Sequence, residues 1–202
     1  MSDVFAELSP PYATIVADPP WPYKDRFGAE HRMPKPNGQH HQRGVADMGY
    51  SEMSLPDLQK LPVVDLVADD AHLYLWVTNT FLEQGYAIAR SWGFQPKTIL
   101  TWCKVHQDDP GRVSMKTGYY FRGATEHALF CVRGSLPLQT SEGLPTAYLW
   151  PRIGEHSRKP EAFIDLVEKA SPGPYVELFC RRPRLGWDSW GYGYEQNRKG
   201  AA

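Results

Sequence analysis

The chain has 202 residues, 42% of them hydrophobic and 22% charged, with a formal net charge of -1. That length suits one domain with a sizeable core, and the composition excludes a disordered chain. No apolar run approaches the ~20 residues of a membrane-spanning helix, and a near-neutral chain that binds nucleic acid must gather its Lys and Arg on one face.

The N-terminal stretch MSDVFAELSPPY has no basic start followed by an apolar run, so no signal peptide is expected. Tyr12 to Ala17 (YATIVA) reads as a buried strand that delivers Asp18-Pro19-Pro20-Trp21 at its carboxyl end. The following segment, 22–50, is polar, rich in Gly, Pro and His, and without hydrophobic period, which predicts a lid, a binding loop or a disordered segment. Ser54 reads as the N-cap of a short helix running to Lys60, with Pro56 and Asp57 in its first turn. His72 to Val77 is a second buried strand, Phe81 to Trp92 a helix closed by Gly93, and Thr98 to Cys103 a third strand. After a loop over 108–117 come a strand at Glu126 to Val132 and a short one at Ala147 to Ile153. Glu161 to Ala170 is a helix behind Pro160, and Tyr175 to Cys180 is the last strand. Strands alternating with helices predict a single α/β domain over residues 1–202 with a mostly parallel sheet.

Cys103, Cys131 and Cys180 stand far apart with no CxxC pair, so neither a zinc site nor a disulfide framework is expected. They read as free thiols of a reduced compartment, which places the protein in the cytoplasm, or in the nucleus of a eukaryotic cell. His31, His40 and His41 lack acid or Cys partners at metal spacing and predict no metal. Seven Trp and 11 Tyr give a surplus of rings. Most belong to the core; rings near loops are what a base-stacking site would use. Trp187 and Trp190 read as packing anchors.

Asp18-Pro19-Pro20-Trp21 falls where open α/β sheets bind ligands. Asp18 offers a carboxylate acceptor, Pro19 a backbone carbonyl, the two prolines rigidity, and Trp21 a ring for stacking. Two acceptors on the N–H groups of an aromatic amine, such as the N6 amine of adenine, would orient it and localise its lone pair. Asn79 stands where it could reach the base, Trp102 where it could flank the pocket, and Lys104 where it could meet a phosphate.

YATIVADPPW, then Tyr50-Ser51-Glu52-Met53-Ser54, LYLWVTN, Thr101-Trp102-Cys103-Lys104, TGYYFRGATEHALFCVRG, and HSRKPEAF through VELFCRR occur in one order that resembles the MT-A70 family. The resemblance covers about Tyr12 to Gly193. It implies S-adenosylmethionine-dependent methyl transfer to adenine N6 in nucleic acid, on a Rossmann-like class I methyltransferase fold. The motif order is permuted, with the catalytic strand first and the cofactor strand last, and helices cover both faces of the sheet. It assigns Asp18, Pro19, Pro20 and Trp21 to catalysis, and Trp21 and Tyr50 to the base. To the cofactor it assigns Asp18, Ser157, Lys159, Glu177, Phe179, Cys180, Arg181 and Tyr192. Arg181 would hold the ribose or the carboxylate, while Arg182 and Arg184 read as solvated or phosphate-facing.

Three features depart from related enzymes, and the first of them fits the family, since the messenger-RNA enzyme also has an Arg matching Arg181. Arg181-Arg182-Pro183-Arg184 stands where related DNA enzymes carry a Gly-rich turn, Thr125 where the messenger-RNA enzyme has Lys, and Tyr192 where the family has Asn. No target-recognition module is recognisable, which implies low sequence specificity or a partner, either a second copy in a homodimer or another subunit. DNA is favoured over RNA because compact enzymes of this kind are common in phage and bacteria, where DNA is the usual substrate of the family that the chain resembles. The alternatives are a catalytically silent nucleic-acid-binding scaffold, which the intact Asp-Pro-Pro-Trp opposes, and an enzyme acting on cytosine N4 or a protein amine.

Overall fold

A computed structural model describes residues 4–23, 52–115, 120–152 and 158–191. Its elements are β1 (Tyr12–Ala17), α1 (Leu55–Lys60), a 3-10 turn (Val63–Leu66), β2 (Val67–Val77), a second 3-10 turn (Asn79–Phe81) and α2 (Leu82–Ser91). They continue with β3 (Gln95–Val105), β4 (Thr125–Arg133), β5 (Ala147–Pro151), α3 (Glu161–Ala170), β6 (Tyr175–Leu178) and β7 (Trp187–Trp190). The strands form one seven-stranded sheet in the order β5-β3-β4-β2-β1-β6-β7. β4 runs antiparallel to both neighbours, and every other pair is parallel. This is the expected Rossmann-like α/β sheet.

The order explains where a ligand can sit. β1 lies between β2 and β6, and the chain leaves β1 toward one side and returns on the other. That reversal opens a crevice past the carboxyl end of β1, where doubly wound sheets bind ligands. Because β4 is reversed, its first residues reach the same edge as the last residues of β1, β2, β3 and β6.

Each face of the sheet has its own core. On one, Ile15, Ala17, Leu73, Leu75, Val77 and Leu129 pack on Leu58 of α1 and Ile88 of α2. On the other, Val16, Tyr74, Trp76, Trp102 and Ala128 pack on Phe163, Ile164 and Val167 of α3. The alternation of inward positions along β1, Val16 on one face and Ile15 and Ala17 on the other, is the period-2 pattern of a strand buried on both sides. Gly85 fixes how closely α2 approaches β2, since a Cβ there would run into Val77 Cγ1.

Most expected elements are present, some longer. β2 begins at Val67 rather than His72, and β3 spans Gln95–Val105 rather than Thr98 to Cys103. The expected final strand stops at Leu178, because Phe179 turns into the left-handed region (φ 63). β7 was not expected. Trp187 and Trp190 are packing anchors as read: Trp187 stacks on Tyr175 with centroids 4.7 Å apart, and Trp190 meets Phe5 edge-on at 4.9 Å. They also belong to a strand. Cys131 and Cys180 are buried free thiols, and Cys103 is half-buried.

Candidate active site

The carboxyl edge of the sheet carries a chain of alternating charges. Asp18, on the loop leaving β1, accepts a hydrogen bond from the Lys159 ammonium at 2.7 Å. Lys159 precedes α3 and lies 3.4 Å from Glu126, the second residue of β4. Glu126 also pairs with Lys104 at the end of β3. The two lysines rest on rings, Lys159 5.1 Å from the centre of Trp76 and Lys104 4.7 Å from that of Trp102. Burial pulls the Lys159 ammonium down, but Asp18 and Glu126 outweigh it and hold the group above the ordinary lysine range.

A second chain of charges borders the same cavity. Arg158 donates to Glu161 at 2.9 Å, Arg184 donates to Glu161 at 3.3 Å, and Arg184 Nε donates to Glu177 at 3.2 Å. Burial pushes the Glu177 carboxyl up; Asp18 and Glu161 add to the rise, and Arg184 opposes it. Arg184 is thus half-buried and paired with two acids rather than simply solvated. It braces the Glu177 carboxylate, while Arg182 lies exposed at the rim.

Between the two chains lies an open cavity of about 320 Å³. Asp18, Lys159, Glu177, Phe179, Arg181, Arg182 and Arg184 line it together with Val16, Trp76, Phe163 and Ile164. With Arg158 and Glu161 also in the lining, charged side chains outnumber apolar ones, so the cavity suits a small molecule that is itself polar or charged and partly apolar. Phe179 is held at its wall with a positive φ of 63, a conformation costing a bulky residue ~1–3 kcal/mol. The chain after β7 fixes it from behind: a Cβ on Gly191 would lie 2.6 Å from the Cys180 nitrogen, and Trp190 meets the Phe179 ring at 5.4 Å. Strain kept in place beside a cavity is a mark of a functional position.

The other expected site residues divide. Asp18, Lys159, Glu177, Phe179 and Arg181 come together. Pro19 is buried, and its carbonyl already accepts the Trp21 N–H at 2.9 Å. The Pro20 carbonyl accepts the Met53 N–H at 2.9 Å, tying the motif to residues beyond the long loop. Trp21 is 3% exposed, stacks on Phe81 at 5.2 Å and donates its indole N–H to the Trp76 carbonyl at 3.1 Å. As arranged it anchors the loop and offers no open ring face for a base.

Trp102 is likewise buried, donating its indole N–H to the Trp150 carbonyl at 2.9 Å. Lys104 is 5% exposed and committed to Glu126, so it cannot meet a phosphate there. The Cys180 side chain is buried away from the cavity lining. Tyr50, Ser157, Tyr192, the three loop histidines and nearly all of the 22–50 segment lie outside the described residues.

Asn79 is exposed at the carboxyl end of β2 on the opposite face, within a network that sequence reading missed. His127 Nε2–H donates to the Asn79 amide oxygen at 2.6 Å, and His127 Nδ1 is 3.0 Å from the Thr101 hydroxyl. The Asn79 amide donates to Thr125 at 3.4 Å, so Thr125 helps to hold Asn79. Burial pulls His127 below the usual imidazole range, consistent with a neutral ring that donates through Nε2 and accepts through Nδ1. Glu126 and His127 were hidden inside an apolar strand reading. The signal was a charged residue opening a run otherwise fit for burial.

Comparison with known proteins agrees with this geometry. A profile of the MT-A70 family matches residues 12–193. The Type II methyltransferase M.MunI of Mycoplasma sp is 32% identical over 206 positions, covering 98% of this chain and 84% of that protein. The N(6)-adenosine-methyltransferase catalytic subunit METTL3 of Homo sapiens is 28% identical over 171 positions, 84% of this chain and 26% of its own length. The putative N(6)-adenosine-methyltransferase MT-A70-like protein of Medicago truncatula is 28% identical over 183 positions, 89% of this chain and 26% of its own.

Proposed function

Membership of the MT-A70 family, to which this chain belongs, makes it an adenine-N6 methyltransferase, and from that premise we propose that it uses S-adenosylmethionine to methylate adenine in DNA in preference to RNA. The observation that carries the reading is the placement of Asp18, at the switch point of the sheet, on the wall of a cavity shared with Glu177 and Phe179. The DNA preference is supported by the relative whose length this chain nearly spans, a bacterial Type II methyltransferase. The N(6)-adenosine relatives are about four times longer than the segment they share with it.

The residues present fit the proposed donor. Phe179, Phe163 and Ile164 supply apolar surface for a nucleoside, Glu177 acceptors for ribose hydroxyls, and Lys159 and Arg181 cations for a carboxylate. When bound, the donor supplies an electrophilic methyl group on a sulfonium centre. The protein's share of the chemistry is alignment rather than acid or base power. The target base leaves its stack or comes from a single strand, at a cost of a few kcal/mol. Asp18 accepts an N–H of the amine and orients its lone pair; the proton leaves to Asp18 or to water. In the structure the Asp18 carboxylate faces Lys159, so the ammonium must share Asp18 with the amine or shift toward Glu126, 3.4 Å away.

The test is to treat DNA and RNA separately with enzyme and labelled donor, digest to nucleosides, and locate the label by mass spectrometry. Label on N6-methyldeoxyadenosine supports the reading. Label on cytosine N4, or in RNA alone, overturns the acceptor assignment. A scaffold protein would leave both polymers unlabelled and would not bind the donor.

A further inference from the structure

The connection between β3 and β4 returns to the sheet at the same carboxyl edge as Asp18, and just before it does so it exposes two rings. Tyr120 is 76% exposed and Phe121 93% exposed, with the exposed Arg122 next in sequence. A nearly fully solvated Phe has an unfavourable contact with water that burial in the fold does not relieve. Gly123 follows, with nothing within 4 Å of where a Cβ would stand. The Ala124 carbonyl then accepts the Lys104 N–H at 2.8 Å, and Thr125 pairs with Cys103, which fixes where the segment enters the sheet.

Distance along the chain ties the rings to the reaction centre. Glu126 is 3.4 Å from Lys159, and Lys159 is 2.7 Å from Asp18. Phe121 stands five residues before Glu126, at most about 17 Å when fully extended. A stacked strand rises 3.4 Å per nucleotide, so that reach spans about five nucleotides.

Resting on the reading that the substrate is nucleic acid, we propose that Tyr120, Phe121 and Arg122 form a stacking arm that holds the unpaired nucleotides flanking the target adenine. Bases stack on exposed rings regardless of identity, and an adjacent Arg supplies a phosphate contact or stacks in its turn. The arm gives a near-neutral chain a means of gripping a strand. The acids of the same connection do not oppose it, since Asp108 and Asp109 already face Arg112 at 3.5 and 3.7 Å. A second copy of this chain is the poorer occupant. Two rings bury ~150–250 Å² each, well short of the ~800 Å² per partner of a stable interface.

The test compares wild type with the double variant Tyr120→Ala/Phe121→Ala and with Phe121→Trp. Steady-state methylation of a single-stranded adenine-containing oligonucleotide should show KM raised by about 10-fold or more in the double variant with kcat within twofold. Phe121→Trp should keep the wild-type KM. Turnover of deoxyadenosine monophosphate, which has no neighbouring bases, should not change, and thermal unfolding should be unshifted because the rings are exposed. Anisotropy of a fluorescein-labelled oligonucleotide reads binding independently of turnover. If wild type binds the oligonucleotide but methylates no adenine, the functional reading fails while the arm is judged on affinity alone. Equal affinity and KM in wild type and double variant overturn the arm. So does a wild-type dimer, seen by light scattering, that becomes monomeric in the double variant, because a second copy then covers the rings.

Discussion

Two polar clusters lie toward opposite edges of the same sheet and are made of different chemistry. At the carboxyl end, Asp18, Lys159, Glu126 and Lys104 alternate in charge, and the side chains of Asp18, Lys159 and Glu126 stay 15–23% exposed. At the amino end, His72, Ser171 and Tyr74 are buried and share neutral hydrogen bonds. His72 Nε2–H donates to the Leu136 carbonyl at 2.9 Å, so its Nδ1 accepts from the Ser171 hydroxyl at 2.7 Å, which in turn accepts from Tyr74 at 2.7 Å. The neutral cluster ties β2 to the turn after α3 and to the segment after β4, and its bonds are satisfied as they stand. The charged cluster needs mutual partners to offset desolvation, and Lys159 is held by two of them at once. A group with two partners can release one without being stranded, which is what a site that admits a third partner requires. The contrast separates polar groups that specify the fold from polar groups that must exchange contacts.

The sharpest way to break this comparison is Asp18→Ala. Methyl transfer should fall by about 10²–10³ or more, while thermal unfolding moves by only a few degrees, because Asp18 sits past the strand end and its loss opens no core cavity. A variant retaining more than a few per cent of the rate would remove Asp18 from the chemistry. Asp18→Asn, which keeps the shape and turns one acceptor into a donor, should be nearly as inactive.

Lys159→Met tests the other half of the pair. Loss of a charged hydrogen bond, ~1.5–3 kcal/mol, should weaken binding of the demethylated cofactor product by roughly 10- to 150-fold in calorimetry. Unchanged affinity would confine Lys159 to orienting Asp18.

At the neutral end the outcome should invert. Ser171→Ala leaves His72 Nδ1 and the Tyr74 hydroxyl without their shared partner, which should cost ~1–3 kcal/mol of stability in urea unfolding with kcat/KM within twofold. A large loss of activity at full stability would erase the distinction between the clusters.

The smallest expected effect is on pH. Burial holds both His72 and His127 below the ordinary imidazole range. Below the unfolded value of about 6.5 the unfolded chain binds protons that the native state does not, so stability is present above that pH and is lost as pH falls through it. Each group can contribute at most about 1.4 kcal/mol per pH unit. Urea midpoints at pH 7.5 and 5.5 should show the fall, and His72→Asn should flatten it. A midpoint that rises on acidification would contradict the neutral assignment of both rings.

Legibility in the sequence followed how local each cause was. YATIVA and EAFIDLVEKA are strand and helix with their expected ends, because period, caps and turn residues all lie within the segment. Asp69 and Asp70 hid the first half of β2. They are exposed there, and Asp70 accepts the Ser135 N–H at 2.6 Å, a partner 65 residues away. β7 was hidden by its four-residue length and flanking glycines. In the site, Asp18 could be read because position past a strand end and residue type both pointed to it. The Lys104–Glu126 pair was not legible because nothing near Lys104 in sequence shows that Glu126 faces it from the next strand, and the Trp21–Phe81 stack was not because a ring beside such a motif looks the same whether it meets a ligand or Phe81.

The reversed direction of β4 makes the 106–124 connection a hairpin rather than a crossover, and that has a consequence for how such a protein can change. A crossover must carry a helix across the sheet, so altering it alters the core. The described residues of this connection add no side chain to either core cluster. Doubling its length would add only ~0.6 kcal/mol of closure entropy and would leave Asp18, Glu177 and Phe179 where they are. Grip on the substrate and chemistry on the base therefore sit on separable pieces of chain. Exchanging the hairpin for one of different length and composition should redirect which nucleic-acid shapes are accepted while the rate on a bare nucleotide stays constant.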